Sequence, residues 1–286
     1  MMKHAENKSI DIRPYKESDL SKLEQLDMFS VLQIKHHKGV KTENVLCAFE
    51  NENMIGAGIL ILFQDNRAEF YTYADNNVTV KTMLADCLIG RFFELQKENH
   101  QSMVLRACHF SDELEEIQFL LSKGFKTDNT IMWLKYDLSG EIAHYAIPDE
   151  VEIKPYEFNG ESMTEYLKAA EAAELLPQKD SADSWFRTGA PGFSCFAAFH
   201  NDKVIGSATI LDISQACGAT EFIFVLPSYR RKNIARELIA TALTELKKRG
   251  KKEASLTVFG TNLPAVNLYL SMGYRVAGSM IELKCR

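Results

Sequence analysis

The chain repeats itself, and that repeat limits the folds open to its 286 residues more than any other feature. Ile10-Asp11-Ile12-Arg13-Pro14-Tyr15 returns as Val151-Glu152-Ile153-Lys154-Pro155-Tyr156. Ala48-Phe49-Glu50-Asn51-Glu52-Asn53-Met54-Ile55-Gly56 returns as Ala198-Phe199-His200-Asn201-Asp202-Lys203-Val204-Ile205-Gly206. Glu69-Phe70 matches Glu221-Phe222, and Ser122-Lys123-Gly124-Phe125 matches Ser271-Met272-Gly273-Tyr274. The matches keep their order and a nearly constant spacing. We read two copies of one domain, residues 1–140 and 151–286, joined by a linker at 141–150 that holds Pro148 and no clear period. At about 100–200 residues per domain, each copy is long enough to bury its own core.

Both copies read alike. An opening strand runs into a polar helical stretch, then two strands meet at a tight turn, Asn51-Glu52-Asn53 or Asn201-Asp202-Lys203. A third strand, around Phe70 or Phe222, leads into a long amphipathic helix. Ile234, Ala235, Leu238, Ile239, Ala242, Leu243 and Leu246 fall on one helical face, and Arg249-Gly250 ends it. Val80, Met83, Leu84, Cys87, Leu88, Phe92 and Leu95 repeat that face in the first copy. A further strand, a short helix, a Gly-aromatic pair and closing strands complete a mixed α/β sheet with helices on both faces.

Composition excludes several classes. With 46% hydrophobic and 25% charged residues the chain is an ordinary globular sequence, neither disordered nor fibrous. Its 33 basic and 39 acidic residues leave a net charge of −6, which argues against a nucleic-acid partner. Cys47, Cys87, Cys108, Cys195, Cys217 and Cys285 form no C-x-x-C pair and no zinc-ligand spacing, as expected of reduced thiols and no metal. The N-terminus lacks the apolar core of a signal peptide, and the longest apolar run, residues 54–63, is about half a membrane span. The expectation is a cytoplasmic protein with no membrane partner.

The second copy carries a candidate phosphate site. In Val225-Leu226-Pro227-Ser228-Tyr229-Arg230-Arg231-Lys232-Asn233-Ile234-Ala235 a buried strand ends, the chain turns, and a basic loop opens a long helix. Backbone N–H groups at such a turn and the positive end of the helix dipole form an anion site. Arg230, Arg231, Lys232 and Arg236 add charge for more than one phosphate. Downstream, Asn262 follows a strand, Tyr269 lies on the next helix, and Gly273-Tyr274 turns the chain.

The two blocks together, V-x-P-x-Y-R-x-x-(G)-x-A before a long helix and then N-x-x-A-x-x-x-Y-x-x-x-G-(F/Y), resemble the GNAT acyltransferases, which use acyl-CoA. The full pattern covers residues 221–274 and the general layout residues 151–286, and the doubled domain is similar to tandem members of that superfamily. The family usually has Gly where this chain has Asn233; Asn tolerates positive φ better than other non-Gly residues.

The resemblance implies two tandem GNAT-like domains, each a mixed, mostly antiparallel sheet. It implies acetyl-CoA as co-substrate, with pantetheine along the strand of Phe224 and Val225 and a backbone N–H there polarising the thioester. The loop of Arg231, Lys232, Asn233, Ile234 and Ala235 would hold the pyrophosphate, and Asn262 the CoA arm. Tyr269 matches the tyrosine that protonates the departing thiolate, with core packing as its alternative. Glu221 is the candidate base; strand alternation puts it on a face with Ile223 and Val225 unless a bulge intervenes. Glu69 stands at the matching place in the first copy, so a structural role stays open.

That first copy reads Ala74-Asp75-Asn76-Asn77-Val78-Thr79-Val80-Lys81 at the strand–helix junction, with no arginine, and has Glu113 for Asn262 and Leu120 for Tyr269. It is expected to be folded but not catalytic, leaving one CoA per chain. Trp185-Phe186 and the acids Glu171, Glu174, Asp180 and Asp183 fall where the family builds part of its acceptor pocket, or on a solvated helix face. His36-His37 reads as a surface loop, and the run Lys247, Lys248, Arg249, Lys251, Lys252 as dipole compensation. Three functions follow: an N-acetyltransferase acting on a small-molecule or peptide amine by direct attack, an acyl-CoA-binding sensor without turnover, or an aminoacyl or peptidyl transferase. The last needs a tRNA footprint that the acidic charge does not offer.

Overall fold

The computed structural model describes residues 9–63, 66–100, 102–175 and 191–286. It divides into two compact units, Met1–Thr130 with Met280–Arg286, and Ile131–Ser279. The repeat boundaries at 140 and 151 are therefore not where the compact units divide, and strand pairing gives the reason. In the first unit β1 (Ile10–Pro14), β2 (Val40–Glu50), β3 (Asn53–Leu62), β4 (Arg67–Tyr73) and β5 (Val104–Phe110) lie side by side, and residues 280–285 of β12 (Arg275–Cys285) pair with β5. In the second, β7 (Glu152–Pro155), β8 (Ser194–His200), β9 (Lys203–Asp212), β10 (Cys217–Val225) and β11 (Glu253–Phe259) do the same, closed by residues 131–137 of β6 (Lys126–Asp137). Each sheet thus takes its last strand from the other copy's stretch of chain. All these pairs are antiparallel except β4 with β5 and β10 with β11.

Helices cover both faces of each sheet. In the first unit α1 (Leu20–Leu26) and α2 (Met28–His36) bury Leu23 and Val31 on one side, while α3 (Val78–Asn99) and α4 (Leu114–Ser122) bury Leu88, Phe92, Ile117 and Leu120 on the other. In the second, α5 (Gly160–Ala172) packs Tyr166 and Ala170 against Cys195 and Phe224. Opposite it, α6 (Ile234–Lys248) and α7 (Leu263–Ser271) pack Leu238, Ala242, Leu246 and Val266 against Ile210, Val225 and Leu256. The helical spacing read from the sequence is the buried face of α6, and each fully buried Leu there contributes about 1.5–3 kcal/mol. Gly206 lets the layers close up: a Cβ would stand 2.9 Å from the Phe224 carbonyl and 3.1 Å from Val225 Cγ2.

The stretch 141–150 is held along α6. Lys247 Nζ donates to the Gly140 carbonyl (2.7 Å), Glu237 accepts from the Tyr145 N–H (2.6 Å) and His144 Nδ1 (2.8 Å), and Ile142 and Ile147 pack on the core.

Candidate functional site

The second unit opens at the one place where its strands run parallel. β10 and β11 pair only through Cys217–Glu253, Gly218–Ala254 and Ala219–Ser255, although both strands continue, to Val225 and Phe259. Beyond Ala219 the β11-facing edge of β10 has no strand partner among the described residues, so its backbone polar groups face a wedge between the strands. A bulge sits at the same point. Glu221 pairs with Thr209 and Phe224 with Ser207, one residue out of step, and Phe222 takes φ 46°. The bulge changes the expected phase. Glu221 shares a face with Phe224, which packs with α5, while Val225 points into the core under α6.

A loop of residues 226–233 then leads into α6. Arg231 (φ 62°) and Asn233 (φ 60°) are both left-handed, the conformation that Asn at a glycine position suggests. Asn233 is the N-cap of α6, yet no side chain caps the helix, so its first-turn N–H groups point outward. Arg231 and Lys232 are exposed beside them. Tyr229 steadies the loop, its hydroxyl 2.8 Å from His200 Nδ1. Arg230 also braces the turn: its guanidinium donates to the carbonyls of Val225 (3.0 Å) and Ala173 (2.9 Å). Arg236 donates to Ser271 Oγ (2.8 Å). Asn262 uses its Oδ1 to cap α7, accepting from the Ala265 N–H (3.3 Å), so only its amide N–H2 is left to meet a ligand.

Two titratable groups lie near the wedge, Glu221 on the α5 side of the strand and Tyr269 in the core under α6 and α7. Burial pushes the Glu221 carboxyl up to about 7. Burial, and then the charge of Glu221, raises the Tyr269 phenol, so it keeps its proton at any physiological pH. The Tyr269 ring leans on Tyr274 (centroids 5.7 Å apart), whose hydroxyl lies 3.1 Å from Thr220 Oγ1. Among the described residues no ion pair or side-chain hydrogen bond engages the Glu221 carboxylate.

The first unit keeps the splay, since β4 and β5 pair only through Arg67–Val104, Ala68–Leu105 and Glu69–Arg106, but it lacks the bulge and the open helix start. β4 is straight, pairing without a break from Leu62–Ala68 to Ala57–Tyr73. Only residues 74–77 separate β4 from α3, and Asn77 caps that helix itself, accepting from the Val80 N–H (3.1 Å). Lys81 follows the first buried residue of its helix, as Ala235 does, and pairs with Glu113 (3.2 Å) and Glu116 (3.1 Å). The remnant cleft is narrow, lined by Thr72, Lys81, His109, Glu116, Phe119 and Leu120.

Register also corrects one sequence match. Glu69 pairs with Ile61 and Arg106 as Ala219 pairs with Leu211 and Ser255, so Glu69 is the counterpart of Ala219. The counterpart of Glu221 is Tyr71, which faces Ile59 as Glu221 faces Thr209. Glu69 is tied to Arg67 (3.3 Å) and accepts from the Tyr71 hydroxyl (2.9 Å), a structural arrangement with no equivalent at Glu221. The shorter β4–α3 loop is visible in the sequence as the smaller distance from Phe70 to Val80 than from Phe222 to Ile234.

Other candidates stand apart. Trp185, Phe186, Asp180, Asp183 and the His36 side chain lie outside the described residues. Glu171 and Glu174 are exposed at the end of α5. His37 Nδ1 accepts from the Gly39 N–H (3.0 Å) in a turn. The basic run mostly holds backbone: Lys247 as above, Arg249 on Gly192 and Ser194, and buried Lys251 on Asp212 (3.0 Å) and the Ser214 carbonyl (2.7 Å). Among the described residues no group of three or more metal-ligating side chains gathers, and no helix is long and apolar enough to cross a membrane.

Two tandem α/β units, one of them with a splayed, bulged strand running into an uncapped helix, define the class to which the chain is similar. Residues 158–274, most of the second unit, match the model of the Acetyltransferase (GNAT) family. A GCN5-related N-acetyltransferase from Sphaerobacter thermophilus superposes with a TM-score of 0.77 at 14% identity, over 96% of this chain and 95% of that one. A tandem GNAT protein from the clavulanic acid biosynthesis pathway gives 0.75 at 11% identity, over 97% and 98%. A GCN5-related N-acetyltransferase from Kribbella flavida gives 0.60 at 13%, over 93% and 94%. At these identities the likeness is one of fold. No curated protein sequence matches the chain significantly.

Proposed function

We propose that the second unit is an acyl-CoA-dependent N-acyltransferase, moving acetyl from acetyl-CoA to an amine, and that the first unit does not turn over. The observation that carries this reading is the contrast between the copies: both splay their parallel strands, but the bulge and uncapped helix start of one are replaced in the other by a straight strand, a self-capped helix and the Lys81 ion pairs.

The residues fit the co-substrate. Outward N–H groups of Ile234, Ala235 and Arg236, with Arg231 and Lys232 beside them, suit a pyrophosphate. The unpaired edge of β10 at Phe224 and Val225 suits an amide-bearing arm, and a backbone N–H there can polarise the acyl carbonyl. Acetyl-CoA supplies the activated thioester. Glu221, poised near neutrality, takes a proton from the amine directly or through water; the amine nitrogen bonds to the carbonyl carbon and the C–S bond breaks. Tyr269 gives its proton to the departing sulfur.

Steady-state release of free CoA from acetyl-CoA over a panel of small amines and lysine peptides tests the activity. Amine-dependent release is expected; tight acetyl-CoA binding without release on any amine would turn the protein into the sensor. Replacing Arg231 and Lys232 together by Ala should raise the Kd for CoA at least tenfold, about 1.4 kcal/mol. An unchanged affinity in calorimetry removes the loop from the site.

A further inference from the structure

We infer that the segment joining the two copies is part of the co-substrate site, and that Tyr145 in it positions Arg236 to bind the ribose phosphate of CoA. The inference rests on the acyl-CoA reading above and adds the part of the ligand that the motif residues leave unassigned.

Residues 141–150 run along α6 to its start. Glu237 holds both His144 (2.8 Å) and the Tyr145 N–H (2.6 Å), and Asn233 Nδ2 donates to the Ala146 carbonyl (3.4 Å) at the turn that opens the helix. The residue standing in place of glycine thereby ties the loop to this segment. The Tyr145 ring comes to lie under Arg236, with the guanidinium carbon 5.3 Å from the ring centroid, and Ser271 Oγ accepts from the same guanidinium at 2.8 Å. A ring face and a hydroxyl fix the group without neutralising it. Among the described residues Arg236 has no carboxylate partner. A preset, uncompensated guanidinium in the first turn of α6 is built for an anion. The outward N–H groups at 234–236, with Arg231 and Lys232, already suit a pyrophosphate, which leaves this guanidinium for a further anionic group. CoA carries one further phosphate, on the ribose a few bonds from the pyrophosphate, within reach of the next side chain along a helix of 5.4 Å pitch. Arg, bidentate and always charged, is suited to a phosphate dianion.

The test compares CoA with 3′-dephospho-CoA on the full chain by titration calorimetry. The wild type is expected to prefer CoA by about tenfold or more. Arg236→Gln should bring the two Kd values within about threefold by weakening CoA alone. Tyr145→Leu should lose most of the preference and Tyr145→Phe should keep it, because the ring face does the positioning. The Arg231→Ala, Lys232→Ala double variant should weaken both ligands and leave their ratio intact. A purely structural role for Tyr145 and Arg236 would weaken both ligands together. CoA bound by the wild type with a ratio near one, or a ratio that survives Arg236→Gln, overturns the inference and leaves the acyl-CoA reading standing. No binding of CoA at all overturns that reading instead.

Discussion

Glu221→Gln should lower kcat by about 10²- to 10³-fold and remove the acid limb of the pH profile. The amide keeps the shape of the side chain and accepts no proton. Because burial holds the wild-type carboxyl near 7, kcat/KM should fall tenfold per pH unit below that value and level off above it. The same shift predicts a stability effect of opposite sense. The folded carboxyl titrates at about 7 against an ordinary value of 4.5, so between those values the folded chain holds a proton that the unfolded chain has lost. Stability therefore drains away as pH rises through that window, and above it the glutamine variant should be the more stable by on the order of 2 kcal/mol. Denaturant unfolding at pH 5 and pH 8 checks this: the advantage of Gln should be present at pH 8 and largely gone at pH 5. A variant that is inactive and also destabilised at pH 8 would make Glu221 a structural residue.

Tyr269→Phe should reduce kcat by roughly 10²-fold or more while leaving Tm nearly unchanged. The ring supplies the packing, against Tyr274 and the core under α6, and Phe preserves it. What is lost is a hydroxyl that keeps its proton because burial and the neighbouring Glu221 charge oppose ionisation. A phenol so held delivers its proton only to a strong base in contact with it, which a departing thiolate is. Full kcat in the phenylalanine variant would return Tyr269 to a packing role. In that outcome a leaving thiolate would have to be protonated by water.

Much of this was legible in the residues. The helical spacing in α6, the basic loop before it and Asn233 at a position needing positive φ all read directly. What escaped was set by pairing across the sheet. Nothing in the local pattern of residues 126–137 or 275–285 says that each will finish the other copy's sheet, because neighbours in a sheet are chosen by long-range packing. The bulge at Phe222 was equally hidden: alternation has period two until one extra residue breaks it, and only the register of β9 shows the break. That hidden residue placed Glu221 with Phe224 and, by way of matching letters, set Glu69 against the wrong partner. Arg230 read as one more cation, and its turn inward onto the Val225 and Ala173 carbonyls depends on α5, distant in sequence. The clamp of 141–150 onto Glu237 likewise has no periodic signature.

The proposed division of labour has the second unit bind CoA and the first leave it unbound. In the first unit the helix start is occupied by Asn77, the loop is four residues long, and Lys81 fills the cleft with Glu113 and Glu116. Asp75 adds a negative charge where a polyanion would have to approach. Calorimetric titration of the full chain with CoA tests this most directly. A single site per chain is expected, lost or weakened when Arg231 and Lys232 are replaced; two equivalent sites per chain, or a site indifferent to those two residues, would overturn the division of labour.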